Sequence, residues 1–379
     1  MPPLNALAAV AALLLALDVV AGGGQLAAGS SRSTACCLPR AACYDIGASA
    51  PNVATAAPIT PPPHFHKLAH TYSIVAWDPD NGDLGVAVQS KFPNVGGIVP
   101  WAKAGVGAVA TQSLSNTTYG EHGLELMAEG ATAEEALRIL TRDDKSLQDR
   151  QVGIVDARGN SASFSATTTF DWSGGRVGRP GGQAGSTAGG KGEVIAGRNY
   201  AAQANIMVSD QTVKNLAETF EASKGALADR LMAALKAGQR GGGDKRGMQS
   251  AALLVVRKNG GYLGGNDRFI DIRVYDAADP IAELDRLLTL HKLHFFPSEL
   301  QDLIPITPAI IAQLEPILVR EPVNQPEKWL KAPQGQGNQT FLTALRDFMY
   351  WENYDVRVRM DGKIDRVVLD DILKKRPAR

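Results

Sequence analysis

The chain has 379 residues, 44% hydrophobic and 21% charged, and this globular composition excludes a wholly disordered protein. Lysine and arginine together number 39, as do aspartate and glutamate, which excludes a strong attraction to nucleic acid or an anionic membrane. We therefore expect a small or neutral partner and no nucleic acid, with enough apolar residues for two domains.

An apolar leader opens the chain. Residues 4–21 form one apolar run interrupted by Asn5 and Asp18, and small residues suited to signal-peptidase cleavage follow it. We predict a signal peptide over residues 1–22 and a secreted or periplasmic protein. No basic residue precedes the run, and its length approaches that of a bilayer span, so an uncleaved membrane anchor is the alternative.

Residues 23–70 have the composition of a disordered spacer. They are rich in Ala, Gly, Ser and Pro, and they cannot bury enough apolar surface to fold alone. The three cysteines here predict a local disulfide or free thiols, and the three histidines are interpreted as exposed side chains rather than metal ligands. These residues are Cys36, Cys37, Cys43, His64, His66 and His70.

The folded region is predicted to begin at Thr71. The segments YSIVAW and LGVAVQS are typical of strands, and the pair Asn81-Gly82 between them indicates a β-hairpin because it tolerates positive φ. Thr132 and Glu135 have the spacing of a capping box at the start of a helix. In chain order, we further predict a strand over 105–113, helices over about 120–129 and from 132, a hairpin over 150–168, helices over 211–223 and 226–238, strands over 250–257 and 269–276, and a helix over 280–294.

Residues 173–198 are dominated by glycine, and we expect a flexible excursion there rather than a packed element. The other elements come as hairpins separated by helix pairs, not as alternating βαβ units. The sequence therefore indicates an α+β protein in which antiparallel sheets are covered by helix layers.

A small C-terminal helical domain is predicted over residues 300–379. Prolines punctuate its first part, which we interpret as a connection. An amphipathic region then runs over about 338–375, where Leu342, Leu345 and Phe348 share one helical face.

Missing residue types limit the chemistry that the main domain can perform. Between Glu121 and Leu290 the chain has one histidine, His122, and no cysteine. A Ser-His-Asp triad, a Cys-His pair and a histidine zinc site therefore lack their parts unless the remote His291 or His294 takes part. We expect no metal and no cofactor, and an enzyme that depends on either is disfavoured.

One class of nucleophile needs no histidine. A chain-terminal Thr, Ser or Cys can pass its side-chain proton to its own α-amine, which titrates near neutral pH. Thr71 meets this requirement if the precursor is cut after His70, because it follows the spacer directly and opens the first strand. A β-branched residue that merely begins a strand is the alternative interpretation.

Several segments between residues 71 and 294 resemble one known family. They include TYSIVAWDPDNGDLGVAVQSK, RQVGIVDARG, YAAQANIM, GGGDKRGMQSAALLVV and DRFIDIRVYD, and they are similar to the domain-of-unknown-function 1028 family, which is placed among the N-terminal-nucleophile (Ntn) hydrolase-like proteins. The resemblance implies a four-layer αββα sandwich over residues 71–295. We predict a hydrolase of an amide or peptide bond in a small molecule or peptide, with a non-catalytic binding or structural protein on the same fold as the alternative.

The resemblance also implies a lysine partner for the nucleophile. In well-understood Ntn hydrolases a lysine about 32 residues after the nucleophile lowers the pKa of that nucleophile, and Lys103 lies at this offset from Thr71. Gln89 stands where those enzymes have the acidic residue that orients the lysine, so the alternatives are a degenerate site or a differently connected one. A solvated charge at a strand edge is the alternative interpretation of Lys103.

Six further polar residues of the matched segments are candidates for the pocket. Asn205 and Asp267 are candidate catalytic contacts. The candidate substrate contacts are the other four, Ser113, Asn116, Asp244 and Arg268, together with Gln89. An aspartate beside glycine, as in GGGDKRG, is commonly a turn residue. The segment GSTAGGKG nearly matches a phosphate-binding loop, but Gly192 replaces the required Ser or Thr, so nucleotide binding is rejected.

The segment FMYWENYDVRVRMDGKIDRVVLDDIL resembles a peptidoglycan-binding module that is appended to some members of this family. Tyr350, Trp351 and Tyr354 would suit stacking against sugar rings or a peptide stem, and a local aromatic core is the alternative. The resemblance implies peptidoglycan as a partner, and we allow for a homo-oligomer.

Overall fold

A computed structural model of the protein describes residues 71–166, 172–178, 185–188, 192–320 and 339–376. The predictions for the leader, the spacer, the cysteines and His64, His66 and His70 fall outside these residues. Of the described helices, none combines the length and the apolar character that crossing a bilayer requires.

A seven-stranded antiparallel sheet has the first strand of the fold at its centre. In order of pairing, its strands are β12 (Arg268–Val274), β11 (Ser250–Val256), β2 (Leu84–Ser90), β1 (Thr71–Trp77), β10 (Tyr200–Met207), β7 (Trp172–Val177) and β8 (Gly185–Ala188). The first predicted hairpin is confirmed, because β1 and β2 pair from Thr71 opposite Ser90 to Trp77 opposite Leu84. Gly82 in its turn has a φ of 78°, which favours glycine.

A five-stranded antiparallel sheet forms the other half of the main domain. Its strands, in order of pairing, are β3 (Pro100–Lys103), β4 (Gly107–Ser113), β5 (Arg150–Asp156), β6 (Asn160–Ser165) and β9 (Val194–Arg198). The second predicted hairpin is confirmed as β5 and β6. The short strand β3 and the strand β9 add to the predicted elements.

Five helices of the main domain lie where the sequence predicts them. They are α1 (Thr118–Ala128), α2 (Ala133–Arg142), α3 (Gln211–Ala222), α4 (Leu227–Arg240) and α5 (Pro280–Phe295). The capping box at the start of α2 is confirmed. The Thr132 hydroxyl accepts from the Glu135 amide, and the Glu135 carboxylate accepts from the Thr132 amide.

Three buried clusters hold these elements together. Helices α1 and α2 pack on one face of the five-stranded sheet around Leu137, and α3, α4 and α5 pack on one face of the seven-stranded sheet around Leu216. The third cluster joins side chains of both sheets, such as Val88 and Ala110. Full burial of each large aliphatic side chain contributes about 1.5–3 kcal/mol, so the hydrophobic faces of both sheets favour this packing.

The expectation of a flexible excursion over residues 173–198 is wrong for its described part, which contributes β7, β8 and β9 to the two sheets. The glycines here permit close approach between strands. A Cβ at Gly178 would lie 2.1 Å from the Arg198 carbonyl oxygen, and a Cβ at Gly197 would lie 2.2 Å from the Gly178 carbonyl oxygen. At Gly178 and Gly197, glycine therefore reflects tight packing rather than chain freedom.

The C-terminal residues build a second core from short elements. These are β13 (Leu303–Pro305), which pairs with β14 (Lys363–Asp365), and the helices α6 (Pro308–Arg320), α7 (Gln339–Trp351) and α8 (Arg366–Lys375). Leu342, Leu345 and Phe348 are buried on α7, as the amphipathic pattern predicts. The segment interpreted as a proline-punctuated connection is corrected, because α6 lies within it. Pro316 stands inside α6, where burial of the neighbouring apolar face compensates for the missing hydrogen bond.

One helix belongs to both cores. Leu288 of α5 packs under the seven-stranded sheet, and Leu293, farther along α5, packs in the C-terminal core. Arg357 fixes this junction, because its guanidinium donates to the carbonyl oxygens of Lys292 and Leu293, each at 2.9 Å, and pairs with Asp365. Arg357 therefore supplies a donor to the Leu293 carbonyl oxygen at the end of α5 and a second donor to that of Lys292, which also accepts from the Phe296 amide at 3.1 Å.

We expect Arg357→Ala to lower the free energy of unfolding by about 3–5 kcal/mol, because it leaves the buried Asp365 carboxylate without its cation. Chemical denaturation measures this change. Arg359→Ala is the matched control, since Arg359 pairs with Asp361 at the surface and should contribute less than about 1 kcal/mol. Equal losses in the two variants would contradict the role of Arg357 at the junction.

Candidate functional site

Thr71 lies at the start of the central strand of the seven-stranded sheet. It is opposite Ser90 on β2 and Asn205 on β10. Only 3% of Thr71 is exposed, and its hydroxyl donates to the Ser90 hydroxyl at 3.0 Å. The predicted nucleophile and the predicted contact Asn205 are therefore neighbours, in a buried environment.

Three buried amides meet beside Thr71, between the two sheets. Gln112 on β4 and Asn205 on β10 donate through Nε2 and Nδ2 to the Thr71 carbonyl oxygen, at 3.1 and 3.3 Å. Gln151 on β5 accepts from both of these amides through Oε1, at 2.7 and 2.9 Å. We call Gln112, Gln151 and Asn205 the amide cluster. Since its members are at most 1% exposed, the cluster links the two sheets away from water.

Hydroxyl groups extend the amide cluster within the same layer. Ser73 donates to Gln112 Oε1 at 2.5 Å and accepts from Gln203 Nε2 at 2.6 Å. Gln151 Nε2 donates to Ser165 Oγ at 2.7 Å. Toward the other end of these strands the layer is apolar, with Val75, Val86, Val155, Val177 and Ala201. The space between the sheets is therefore polar at the Thr71 end and hydrophobic at the other end.

Glycine makes room for the buried polar side chains between the sheets at the Thr71 end, which we call the polar layer. A Cβ at Gly153 would lie 2.0 Å from Gln203 Oε1, and a Cβ at Gly175 would lie 2.4 Å from Ser163 Oγ. Both distances are too short for any real side chain, so these strands can pass the buried polar groups only where they carry glycine.

A glycine-rich loop, residues 241–249, forms hydrogen bonds at the ends of β2 and β10, the two strands that flank β1. Val208, directly after β10, donates its amide to the Gly243 carbonyl oxygen at 3.2 Å. At the other side, the Gln249 amide donates to the Ser90 carbonyl oxygen at 3.1 Å. The loop therefore lies at the same end of the sheet as Thr71.

Asp244 is the buried centre of the glycine-rich loop. Its carboxylate accepts from the Lys91 main-chain amide at 3.2 Å and pairs with Arg246 at 3.1 Å. Lys91 in turn donates through Nζ to the Met248 carbonyl oxygen at 3.2 Å. The predicted contact Asp244 thus lies at the Thr71 end, where it also holds the loop to Lys91, the residue that follows β2.

Strained backbone occurs beside the amide cluster. Ile206 has a φ of 58°, which is rare for a β-branched residue, and it lies at a register shift between Asn205 and Met207. Ser113 has a φ of 69°. Each of these residues directly follows a donor to the Thr71 carbonyl group. Such conformations cost on the order of 1–3 kcal/mol and cluster at functional sites.

Gln89 lies on the opposite face of the sheet from the Thr71 hydroxyl. It is opposite Tyr72, which packs in the cluster that the seven-stranded sheet forms with α3, α4 and α5, and it is fully buried. Among the described residues, neither polar atom of its side chain has a hydrogen-bond partner. The prediction that Gln89 stands beside the nucleophile or binds substrate is therefore corrected, because the sheet separates it from the Thr71 side chain.

Tyr72 is a further polar side chain on the face of the seven-stranded sheet that the helices cover. Burial, with smaller contributions from Asp244 and Asp279, raises the pKa of Tyr72 well above its usual value. The phenol is therefore neutral near pH 7, and it donates to Gln239 Oε1 at 3.1 Å. We assign it a structural role, since it faces away from the Thr71 hydroxyl.

Lys103 is not brought to Thr71. It is the exposed last residue of β3 and lies opposite Gly107, the first residue of β4. The Thr71 carbonyl group instead contacts Gln112, near the other end of β4, about 17 Å farther along the strand. The predicted pairing of Lys103 with the nucleophile is therefore corrected.

Asp267 and Arg268 also lie at the far end of the seven-stranded sheet. Arg268 is opposite Val256, whereas the Thr71 end of β11 is Ser250, about 20 Å away along the strand. Asp267 accepts from the Asn259 amide at 2.9 Å in an exposed turn. The structure does not place these two residues in one site with Thr71.

Ser113 and Asn116 lie near the end of β4. Ser113 directly follows Gln112, so it lies at the end of β4 that is near Thr71. Asn116 accepts from the Thr118 amide at 3.2 Å and lines a surface groove between α1 and α2, together with His122. It is therefore at the margin of the candidate site. No group of His, Cys, Asp and Glu side chains within the described residues is arranged to hold a metal ion.

Two matches to one family model cover residues 71–185 and 177–284, which together exceed half of the chain. The model describes a family of unknown function, DUF1028. The chain belongs to this family. The resemblance found in the sequence is thus confirmed for the family, and the first matched residue of this DUF1028 protein is Thr71.

A solved structure of the same family is similar to this chain. It is that of protein SPO2555 from Silicibacter pomeroyi, with 26% sequence identity and a TM-score of 0.49. The similarity covers 59% of this chain and 86% of the other. No curated protein is similar enough to count as a relative.

Sequence reasoning missed most of the amide cluster of this DUF1028 protein. The missed members are Gln112 and Gln151, each of which is the one amide side chain in its strand, GAVATQS or RQVGIVD. A glutamine in such a strand is the available signal, because a buried amide favours a partner from another strand.

We expect Gly153→Ala in this DUF1028 protein to lower the free energy of unfolding by about 1–3 kcal/mol, because the new methyl group overlaps the Gln203 amide. Chemical denaturation measures the loss. Gly123→Ala on α1 is the control, since a Cβ there meets Leu140 and Val109 at 3.3 Å and alanine favours a helix. An unchanged stability for Gly153→Ala would contradict the tight packing of the polar layer.

Proposed function

We propose that this protein is an N-terminal-nucleophile hydrolase of an amide bond, active after cleavage between His70 and Thr71. One observation carries the proposal: Thr71 is the first residue both of the central strand and of the family match. A nucleophile of this class must be the first residue of its chain. The order of helices and sheets in the main domain is compatible with the four-layer αββα sandwich that the resemblance implies.

In the proposed reaction, the free α-amine of Thr71 takes the proton from the Thr71 hydroxyl. The hydroxyl oxygen attacks the amide carbon of the substrate, and the carbon–nitrogen bond breaks. The leaving amine departs with the proton, and an ester remains on Thr71. Water then hydrolyses this ester to the acid and restores the hydroxyl. Lys103 receives no role, because it lies at the other end of β4.

The surroundings of Thr71 support the proposal. The amide cluster holds the Thr71 carbonyl group through two donors, so the main chain of the nucleophile is preorganised before substrate binds. The strained backbone at Ser113 and Ile206 lies next to these donors. Strain of this kind persists where the surrounding structure compensates for it, which is typical of functional sites.

The mature protein from its natural source should begin at Thr71, as read by terminal sequencing and intact mass. A β-lactone that acylates threonine nucleophiles should then add its mass to Thr71, because the free α-amine activates the hydroxyl. Thr71→Ala should abolish labelling and preserve the circular-dichroism spectrum. Thr289→Ala, which removes an exposed hydroxyl on α5, should label like the wild type. A mature chain that begins before Thr71 and resists labelling would contradict the proposal.

The burial of Thr71 favours a second candidate function, a binding protein without catalysis. In this alternative, Thr71 remains within the chain, and its hydroxyl only supports the hydrogen bond to Ser90. The two candidates differ in one measurement. A ligand that binds the uncleaved protein with an affinity unchanged by Thr71→Ala would support the binding function and count against the hydrolase.

We further propose that the protein acts at the cell wall and that its C-terminal domain binds peptidoglycan. Tyr350 and Trp351 at the end of α7 are 49% and 62% exposed, so their rings are accessible for stacking on sugars. The prediction for Tyr354 is corrected. Tyr354 is fully buried, stacks on His294 with ring centroids 5.1 Å apart, and donates to Asp371 at 2.5 Å.

We expect Trp351→Ala to weaken retention on purified peptidoglycan by about two- to tenfold, because it removes the larger exposed ring. Co-sedimentation with insoluble peptidoglycan measures retention. Met360→Ala, another exposed apolar residue of this domain, is the control and should bind normally. Point variants are preferable to deletion of residues 300–379, because deletion would uncover Leu293 of α5. Normal retention of Trp351→Ala would contradict stacking on this residue.

A further inference from the structure

The carbonyl group of Thr71 receives two side-chain donors, an arrangement that a β-ladder alone does not require. Gln112 Nε2 lies 3.1 Å from this oxygen and Asn205 Nδ2 lies 3.3 Å from it. One donor comes from the five-stranded sheet and the other from the strand next to β1. The position of the Thr71 main chain therefore depends on the orientation of two buried amides.

An amide side chain can be rotated by half a turn, which exchanges its donor and its acceptor. Gln151 favours one orientation of both Gln112 and Asn205. Its Oε1 accepts from Gln112 Nε2 at 2.7 Å and from Asn205 Nδ2 at 2.9 Å. Ser73, which donates to Gln112 Oε1 at 2.5 Å, supports the same orientation of Gln112. If either amide were reversed, its oxygen would face both Gln151 Oε1 and the Thr71 carbonyl oxygen. These acceptor pairs repel each other, so Gln151 disfavours the reversed arrangement.

Gln151 is itself held in one orientation. Its Nε2 donates to Ser165 Oγ at 2.7 Å and to the Ala204 carbonyl oxygen at 2.9 Å. A reversed Gln151 would direct its oxygen at the Ala204 carbonyl group. Ser165 on β6 and the Ala204 carbonyl group therefore orient Gln151, and Gln151 in turn orients the two amides that donate to Thr71.

We propose that Gln151 is a positioning residue for Thr71. Within the part of the chain that the structure describes, its side chain bonds to the two amides, Ser165 and main-chain carbonyl groups, so it acts on Thr71 through Gln112 and Asn205. Its effect on the main chain of Thr71 follows from the contacts. Its effect on catalysis rests on the proposed function, and the two effects are measured separately below.

Selective isotope labelling reports on the Thr71 carbonyl group alone. The sequence contains two Thr-Tyr pairs, Thr71-Tyr72 and Thr118-Tyr119. Full-length protein with ¹³C-carbonyl threonine and ¹⁵N tyrosine therefore gives two carbonyl–amide cross-peaks. We expect Gln151→Met to move the Thr71 carbonyl resonance upfield. Gln112 and Asn205 lose their orientation in this variant, so their hydrogen bonds to the Thr71 carbonyl oxygen weaken. The Thr118 resonance is the internal reference and should stay in place.

Gln151→Glu keeps an oxygen toward Gln112 and Asn205 and provides a second variant if Gln151→Met folds poorly. Its Thr71 resonance should lie closer to that of the wild type than the resonance of Gln151→Met does. Thr141→Ala controls for destabilisation, since it removes a buried hydroxyl in α2, remote from Thr71. An unmoved Thr71 resonance in Gln151→Met, or an equal shift in Thr141→Ala, would overturn the inference.

The catalytic consequence is measured by the rate at which the β-lactone labels protein that begins at Thr71. We expect Gln151→Met to slow labelling by at least about tenfold, since misplacement of a reacting group by an ångström is costly. Thr141→Ala should label at the wild-type rate. A wild type that is never labelled refutes the proposed function, and the carbonyl shift still decides the positioning role. A labelled wild type and an equally fast Gln151→Met refute the catalytic effect of Gln151 alone.

Discussion

Hydrogen bonds between buried amides are the constraint on which the rest of this structure depends. A buried amide without a partner costs several kcal/mol, and Gln112, Gln151 and Asn205 reduce this cost by bonding to one another. Apolar contacts are not directional, whereas hydrogen bonds require defined distances and angles. The amides thereby hold the five-stranded sheet in register with the start of β1.

The buried polar side chains also restrict the main chain around them, both in where glycine is needed and in where the backbone is strained. Gly153 and Gly175 stand where a side chain would collide with Gln203 and Ser163. The strained Ile206 lies at the register shift that follows Asn205 in β10. Glycine weakens a strand and strain costs free energy, so the hydrophobic end of the space between the sheets compensates for the polar end. The hydrophobic end therefore supplies stability, and the polar end holds the candidate site in place.

The sequence predicts most elements of the fold, because the apolar periodicity of its strands and helices is regular and Thr132 has its capping partner. It misleads in β7, β9 and α6, where glycine and proline have packing roles that composition alone cannot distinguish from disorder. In the candidate site, Thr71, Asn205 and Asp244 lie at one end of the sheet as expected. Offsets along the chain do not say at which end of a strand a residue lies, and Lys103 and Asp267 were misplaced for this reason.

Helix α5 has a consequence for how the chain unfolds. Leu288 and Leu293 pack in different cores on one continuous helix, and Arg357 donates to carbonyl groups at the end of that helix. Loss of the C-terminal core would therefore expose Leu293 and remove the Arg357 donors from α5, which also packs under the seven-stranded sheet. Cooperative unfolding of the two cores in one transition is the expected result.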